Sequence, residues 1–139
     1  MSWFDLGGIT WWAVGVAFIV TVGFGAFYYS PRGVFTMWAR LGKITPDDVN
    51  NADMRIAFGG TFLGNALGII LLAVLFEGLG VTGWAAGLAT GAILGLIFRG
   101  GAHVIHNGFA VRHPGITLLD TAHDTIALAI AGAILGAAG

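Results

Sequence analysis

Ionisable side chains cluster in two stretches of this otherwise apolar sequence. Asp120, His123 and Asp124 occupy positions i, i+3 and i+4, which share one face of a helix. His103 and His106 stand three residues apart in an earlier helical stretch, so they also share a face. A short turn between the stretches would bring the two groups together. Imidazole and carboxylate side chains in one place can bind a metal ion, relay protons or form ion pairs.

Three interpretations of this polar cluster are open. As a metal site it would offer nitrogen and oxygen ligands to zinc or iron. The Asp-x-x-His spacing is similar to that of di-metal helix bundles. The ligands would come from His103, His106, His123 and either Asp120 or Asp124. As a proton relay or cation port, the same groups would open to the cytoplasm. As a structural lock, the aspartates would pair with the histidines and with Arg99 or Arg112, which is the usual way such groups are tolerated in a membrane.

The composition places these groups in a membrane protein. Only 9% of the 139 residues are charged, whereas a soluble domain carries about 25%. Mean hydropathy is +0.87. A net charge of −1, without a cluster of lysine and arginine, argues against a nucleic-acid partner. Without cysteine there is no disulfide, thiolate metal site or cysteine nucleophile, and the scarcity of serine excludes a buried serine nucleophile. No cofactor is strongly implied.

Four long apolar stretches predict an all-α integral membrane protein, a four-helix bundle in one transmembrane domain over residues 1–139. At 1.5 Å per residue each stretch can cross a hydrocarbon core of about 30 Å. No basic region precedes the first stretch, so we expect it to remain as a span rather than to be removed as a signal peptide. The predicted spans are residues 9–29, 56–76, 83–107 and 116–138.

The segment between the first two spans predicts a short basic amphipathic helix lying in the membrane interface. Pro31 ends the first helix, and Phe35 and Trp38 then recur at helical spacing among basic residues. Together with Tyr29 these residues would anchor the segment at the interface. Thr45 and Pro46 are typical of a helix start. We therefore expect the second long helix to begin there, outside the membrane, and to continue unbroken into its span.

Glycine repeats at four-residue spacing along three of the spans. In lipid such faces let helix backbones approach closely, and van der Waals contact then holds the helices together. Because the second and third spans carry the longest repeats, we expect those two helices to contact each other; a face directed to another subunit is the alternative. Asn65 is expected to form an interhelical hydrogen bond. The repeats are Gly60, Gly64 and Gly68; Gly83, Gly87, Gly91 and Gly95; and Gly132 and Gly136.

The basic residues predict the orientation of the chain. All of them fall on the side of the two loops that join span one to span two and span three to span four. The positive-inside rule then places these loops in the cytoplasm and both termini outside. The residues are Arg32, Arg40, Lys43, Arg55, Arg99 and Arg112.

The stretch from Tyr29 to Gly42 resembles a signature of a bacterial family of small four-helix membrane proteins, the domain-of-unknown-function 1761 family. The likeness rests on Tyr29-Ser30-Pro31, then Phe35 and Trp38, with a basic turn at Arg112 and a polar start to the fourth helix. The family carries a tyrosine–histidine pair near a position where this chain has His123 and Asp124. The resemblance implies four helices and a bacterial cytoplasmic membrane, and it implies no activity.

These observations favour a non-enzymatic function. A small membrane chain rich in packing surfaces is expected to associate through its glycine faces, as a homo-oligomer or as an accessory subunit of a larger complex in the inner membrane. The first alternative is proton or cation transport through the polar cluster. The second is a metal-dependent membrane enzyme.

Overall fold

The computed structural model describes residues 4–139, which fold into helices joined by short connections. Four helices are long and apolar enough to cross a membrane: α1, α4, α7 and one continuous rod, Trp84–Phe109, made of α5, a π-helical segment and α6. This confirms the predicted all-α fold class and is consistent with a multi-pass membrane protein. The elements are α1 (Trp11–Tyr28), α2 (Phe35–Gly42), α3 (Pro46–Asn51), α4 (Met54–Leu79), α5 (Trp84–Leu94), the π-helical segment (Gly95–Gly100), α6 (Gly101–Phe109) and α7 (Pro114–Ala138).

The predicted spans agree with the observed long helices to within about three residues at each end. The prediction of one unbroken second helix is wrong, because α3 ends at Asn51 and α4 begins anew at Met54. Ala52 is extended between them, and the Asp53 carboxylate accepts the backbone N–H groups of Arg55 and Ile56 as a fresh N-cap. The local capping geometry therefore separates a short surface helix from the spanning one.

One end of the bundle carries both basic connections. Residues 29–53 join α1 to α4 there, and residues 110–113 join α6 to α7. The opposite end holds the start of α1, the turn at residues 80–83 and the end of α7. We refer to the first as the basic end, since it contains Arg32, Arg40, Lys43, Arg55 and Arg112.

Helix α7 lies at the centre of the bundle. It contacts α1, α2, α4, the π-helical segment and both α-helical parts of the third rod. Small residues make this possible, because they let several helices approach one axis closely. Buried apolar residues from α1, α4 and α7, with Ile9 just before α1, form the core on the side away from the basic end: Ile9, Ala13, Val14, Ala17, Ile69, Leu72, Ala73, Val74, Phe76, Ala131 and Leu135.

The glycine repeat of α5 packs against α7. A Cβ atom placed on Gly87 would lie 2.0 Å from the carbonyl oxygen of Gly132, and one on Gly91 would lie 2.0 Å from that of Leu128. A Cβ on Gly136 would lie 3.1 Å from the Cα of Gly87. These backbones touch, and no side chain fits between them. The repeat of the third span thus faces inward, within one chain.

The expectation that the repeats of the second and third spans contact each other is wrong. Gly60, Gly64 and Gly68 have no heavy atom within 4 Å of a built Cβ outside their own helix backbone. Every residue of α4 from Met54 to Gly64 is exposed, and its buried residues lie between Ile69 and Phe76. Helix α4 therefore packs against the bundle through its C-terminal half, and its glycine repeat is left open.

The π-helical segment was not predicted, and it keeps polar residues in line with the glycine repeat. Residues spaced by four drift by about 40° per step around an α-helix of 3.6 residues per turn. The wider π turn holds more residues and counteracts that drift. Arg99 and His103 continue the spacing that begins at Gly83, and both side chains still face α7.

Candidate functional site

The candidate site is a polar cluster between α1, the third rod and α7, centred on Asp124. One carboxylate oxygen of Asp124 accepts from Arg99 Nε at 3.0 Å and from His103 Nε2 at 2.9 Å. The other accepts from His123 Nδ1 at 2.9 Å. The Asp124 side chain is 11% exposed, whereas that of Arg99 is 49% exposed. A buried carboxylate therefore holds three nitrogen donors, one of which reaches the edge of the bundle.

Asp120 belongs to a separate part of the cluster, nearer the basic end. Its Oδ1 accepts from the Tyr29 hydroxyl at 2.6 Å and from the Trp38 indole Nε1 at 3.1 Å. Tyr28 donates to the backbone oxygen of Leu119 at 2.8 Å beside it. These bonds connect the end of α1, the interfacial helix α2 and the first turns of α7. The predicted interface anchors Tyr29 and Trp38 are thus hydrogen-bond donors to a carboxylate.

The position of α2 follows from these contacts. Phe35 stacks near Trp38 on the same helix, with ring centroids 6.4 Å apart, and Pro31 lies in the turn before it. At the other end of α2, a Cβ on Gly115 would lie 2.7 Å from Leu41 Cδ1. Helix α2 therefore rests across the start of α7.

His123 lies in a box of aromatic rings. It stacks on Phe24 with ring centroids 5.4 Å apart and an interplanar angle of 8°, and the rings of Tyr28 and Tyr29 lie 5.3 and 5.0 Å away. Its Nε2 is buried and has no hydrogen-bond partner within the described residues. Since Nδ1 donates to Asp124, the neutral ring carries a lone pair on that unpartnered Nε2.

The structure does not assemble the predicted metal-ligand set. His106 is exposed and faces away from the cluster, while Asp120 and Asp124 bind different partners. Within residues 4–139, no group of three or more histidine, aspartate or glutamate side chains is arranged to hold a metal ion. Arg112 is also apart from both aspartates. Of the predicted polar residues, Arg99, His103, His123 and Asp124 meet directly.

A small cavity lies on the α4 side of Asp124. It has a volume of about 20 Å³ and is lined by Thr21, Asn65, Arg99 and Asp124, with Gly64 and Gly68 at its α4 wall. This volume is about that of one water molecule. The Asn65 side chain makes no hydrogen bond within the described part of the chain, so its predicted interhelical bond is not formed inside this chain. The cavity joins the polar cluster to the open glycine face of α4.

Sequence reasoning missed three features of the site. It assigned Tyr29 and Trp38 only as anchors. A Tyr O–H and a Trp N–H usually bind an acceptor when they are buried, so the aspartates of the fourth helix could have been predicted as their partners. It left out Phe24 and Thr21, which carry no signal in an apolar helix. The division of Asp120 from Asp124 depends on which helices border each face of α7, and one-dimensional spacing does not contain that information.

Comparison with known proteins identifies the family. The model of a family described as "protein of unknown function (DUF1761)" matches residues 12–136, so the chain belongs to this family. The match covers nearly all of the four long helices and the whole of α2. No curated protein and no solved structure matches the chain significantly.

Proposed function

We propose that this member of the DUF1761 family is a non-enzymatic membrane protein that associates through the open glycine face of α4, as a homo-oligomer or as an accessory subunit of a larger membrane complex. The observation that supports this is the contrast between two repeats of one spacing. The repeat of α5 is packed to backbone contact on α7, whereas Gly60, Gly64 and Gly68 have open space. A glycine face in lipid gains contact energy only when another helix lies against it.

Asn65 supports the same surface. It lies beside Gly64 on α4, within the hydrophobic part of the span, and its side chain lacks a hydrogen bond within the described chain. Asparagine in a membrane helix stabilises association by bonding to a neighbouring helix. A partner helix seated on Gly64 would place its polar groups within reach of the Asn65 amide.

The proposal places the protein in the inner membrane with the basic end in the cytoplasm and both termini outside. The positive-inside rule supports this orientation, because four of the six basic residues belong to the connections at that end and Arg55 lies in the first turn of α4 beside them. Cysteine accessibility labelling of a variant with one cysteine at residue 47 tests it. Labelling by an impermeant reagent from outside intact cells would contradict the orientation.

The association is tested by native mass spectrometry in mild detergent and by cross-linking in native membranes. The wild-type chain of 14.4 kDa should appear as a multimer or bound to a partner. Gly64→Leu should abolish this, because a bulky side chain would separate the helices. Gly15→Leu is the matched control, since Gly15 lies on α1 and also has no neighbour within 4 Å. A monomer in both measurements, or equal effects of both variants, would refute the proposal.

Proton transfer is the second candidate, because Asp124 links His103 to His123 through hydrogen bonds in one continuous chain of titratable groups. The adjoining cavity has room for about one water molecule, which suits a proton better than a hydrated cation. Proton flux in liposomes should then fall with Asp124→Asn and persist with Asp47→Asn. Equal flux in both variants would remove this candidate. No comparable observation favours a metal-dependent enzyme.

A further inference from the structure

A cleft of about 610 Å³ opens at the basic end and shares no lining residue with the polar cluster or with the glycine face of α4. It lies where the end of α2 meets the turn between α6 and α7. Its two sides are Leu41–Ile44 and Val111–Pro114, with Ile116 at its floor. Since α2 lies at the predicted interface, the cleft lies at the level of the lipid headgroups.

The polar groups of the cleft are donors of hydrogen bonds. Lys43, Arg112 and His113 line it, and no aspartate or glutamate is among its described lining residues. Lys43 and Arg112 form no ion pair or side-chain hydrogen bond within residues 4–139. His113 Nδ1 accepts the backbone N–H of Gly115 at 3.0 Å, so the neutral ring carries its proton on Nε2. Two unpaired cations and an N–H donor therefore line one cleft without a counter-charge among its described lining residues.

The rest of the cleft is apolar. Leu41 and Ile44 form its apolar wall, and Ile116, which is 2% exposed, lies at its floor. Phe109 and Val111, each 89% exposed, extend from the same turn toward the surrounding medium. A free phosphate ion would leave this apolar wall unused. A phospholipid would place its phosphate on the cations and its glycerol and first methylenes along the wall.

The backbone of the cleft is strained on both sides. Among the described residues, Lys43 and Val111 are the non-glycine positions with positive φ, each at 54°. For β-branched valine this conformation is a true outlier, and such strain concentrates at functional sites. Both residues line the cleft, so strained backbone borders it on both sides.

We propose that this cleft binds the phosphate-bearing headgroup of an anionic phospholipid, through Lys43, Arg112 and His113. Basic pockets between membrane helices near the headgroups bind such lipids. The site is independent of the association proposed above, since it shares no residue with the α4 face. Its occupant would hold α2 against the start of α7 from the lipid side.

The test is native mass spectrometry of the full chain in mild detergent with added phosphatidylglycerol or phosphatidylcholine. The wild type should retain phosphatidylglycerol preferentially, and K43Q/R112Q should lower that retention by about tenfold. R32Q/R40Q is the matched control, because both arginines are exposed at the same end, outside the cleft, and unpaired within the described residues. It should retain the lipid within about twofold of wild type.

Four outcomes would overturn the proposal. Equal losses in both double variants would show general surface charge, and equal retention of both lipids would show no headgroup recognition. Displacement of phosphatidylglycerol by millimolar inorganic phosphate would show a free-anion site. The charge-conserving variant K43R/R112K separates recognition from misfolding: it should keep the lipid, and a loss equal to that of K43Q/R112Q would count against binding by these charges.

Discussion

The backbone N–H of Gly83 donates a hydrogen bond to the carbonyl oxygen of Gly136, 2.7 Å away on another helix. Gly83 has φ +85°, a conformation that glycine adopts without strain. Gly136 lies in the last turn of α7, where carbonyl groups have no partner within the helix. One hydrogen bond thus joins the start of α5 to the end of α7. It fixes the position along α7 at which the glycine repeat of α5 packs.

Gly91→Leu should destabilise the fold itself. A Cβ at this position meets the Leu128 carbonyl oxygen at 2.0 Å, so α5 must move away from α7. The cost should reach or exceed the upper end of the about 1–3 kcal/mol typical of overpacking. Thermal unfolding in detergent measures it. Gly64→Leu should change the unfolding temperature of the monomer much less, because a Cβ on Gly64 meets no atom within 4 Å.

Asp124 and Arg99 should be energetically coupled. Asp124→Asn removes the charge that holds three nitrogen donors, and it should destabilise the protein by about 2 kcal/mol. A double-mutant cycle with Arg99→Gln should give a coupling energy of about 0.5–3 kcal/mol. The same cycle with exposed Arg32→Gln should give additive changes. Additivity in both cycles would contradict the ion pair.

Trp38→Phe should loosen α2 without unfolding the bundle. The change removes the indole N–H that donates to Asp120, while Tyr29 keeps its own bond to the same oxygen. Amide hydrogen exchange over α2 should become faster by about tenfold. Trp12→Phe is the control, because Trp12 is 66% exposed at the opposite end. Unchanged exchange in α2 would show that this hydrogen bond does not hold the helix.

The start of α3 should weaken at acidic pH. Hydrogen bonds from the backbone N–H and hydroxyl of Thr45 lower the pKa of the exposed Asp48 carboxyl below its usual 3.8. A lowered folded-state pKa means that the stabilisation is present above the unfolded-state pKa and is lost as the pH falls through the folded one. The protection of the α3 amides, measured as the exchange rate relative to the intrinsic rate at the same pH, should therefore decrease below about pH 4.

Two variants separate this cap from a general acid effect. Asp48→Asn should remove the pH dependence, and Asp47→Asn should keep it, since Asp47 makes no comparable hydrogen bond within the described chain. A pH dependence that survives Asp48→Asn would show that another group is responsible.

The parts of the fold that depend on local pattern were predictable. Span lengths, the amphipathic helix α2 and the Thr45 cap follow from apolar run length, helical spacing and capping chemistry. The partner of the α5 repeat was not, because Gly60–Gly68 and Gly132–Gly136 offer the same small surface. A glycine repeat shows that a helix can approach another closely, but it does not identify which helix that is.

The candidate site was predictable in composition and not in arrangement. His103, His123 and Asp124 meet as their spacing suggested, yet His106 faces away although it lies three residues from His103. The difference is rotational: a face shared on one helix need not be the face turned toward its neighbour. The π-helical segment changes the rotation of the helix just before His103, and no residue between Gly95 and Gly100 predicts such a segment.

The π-helical segment sets the phase between two surfaces of one rod. On one side of it lie the contacts of Gly87 and Gly91, and on the other lie the bonds of Arg99 and His103 to Asp124. Removing one residue between Gly95 and Gly100 would turn one surface by about 100° relative to the other. A substitution leaves that rotation intact, so the number of residues in this stretch is constrained independently of their identity.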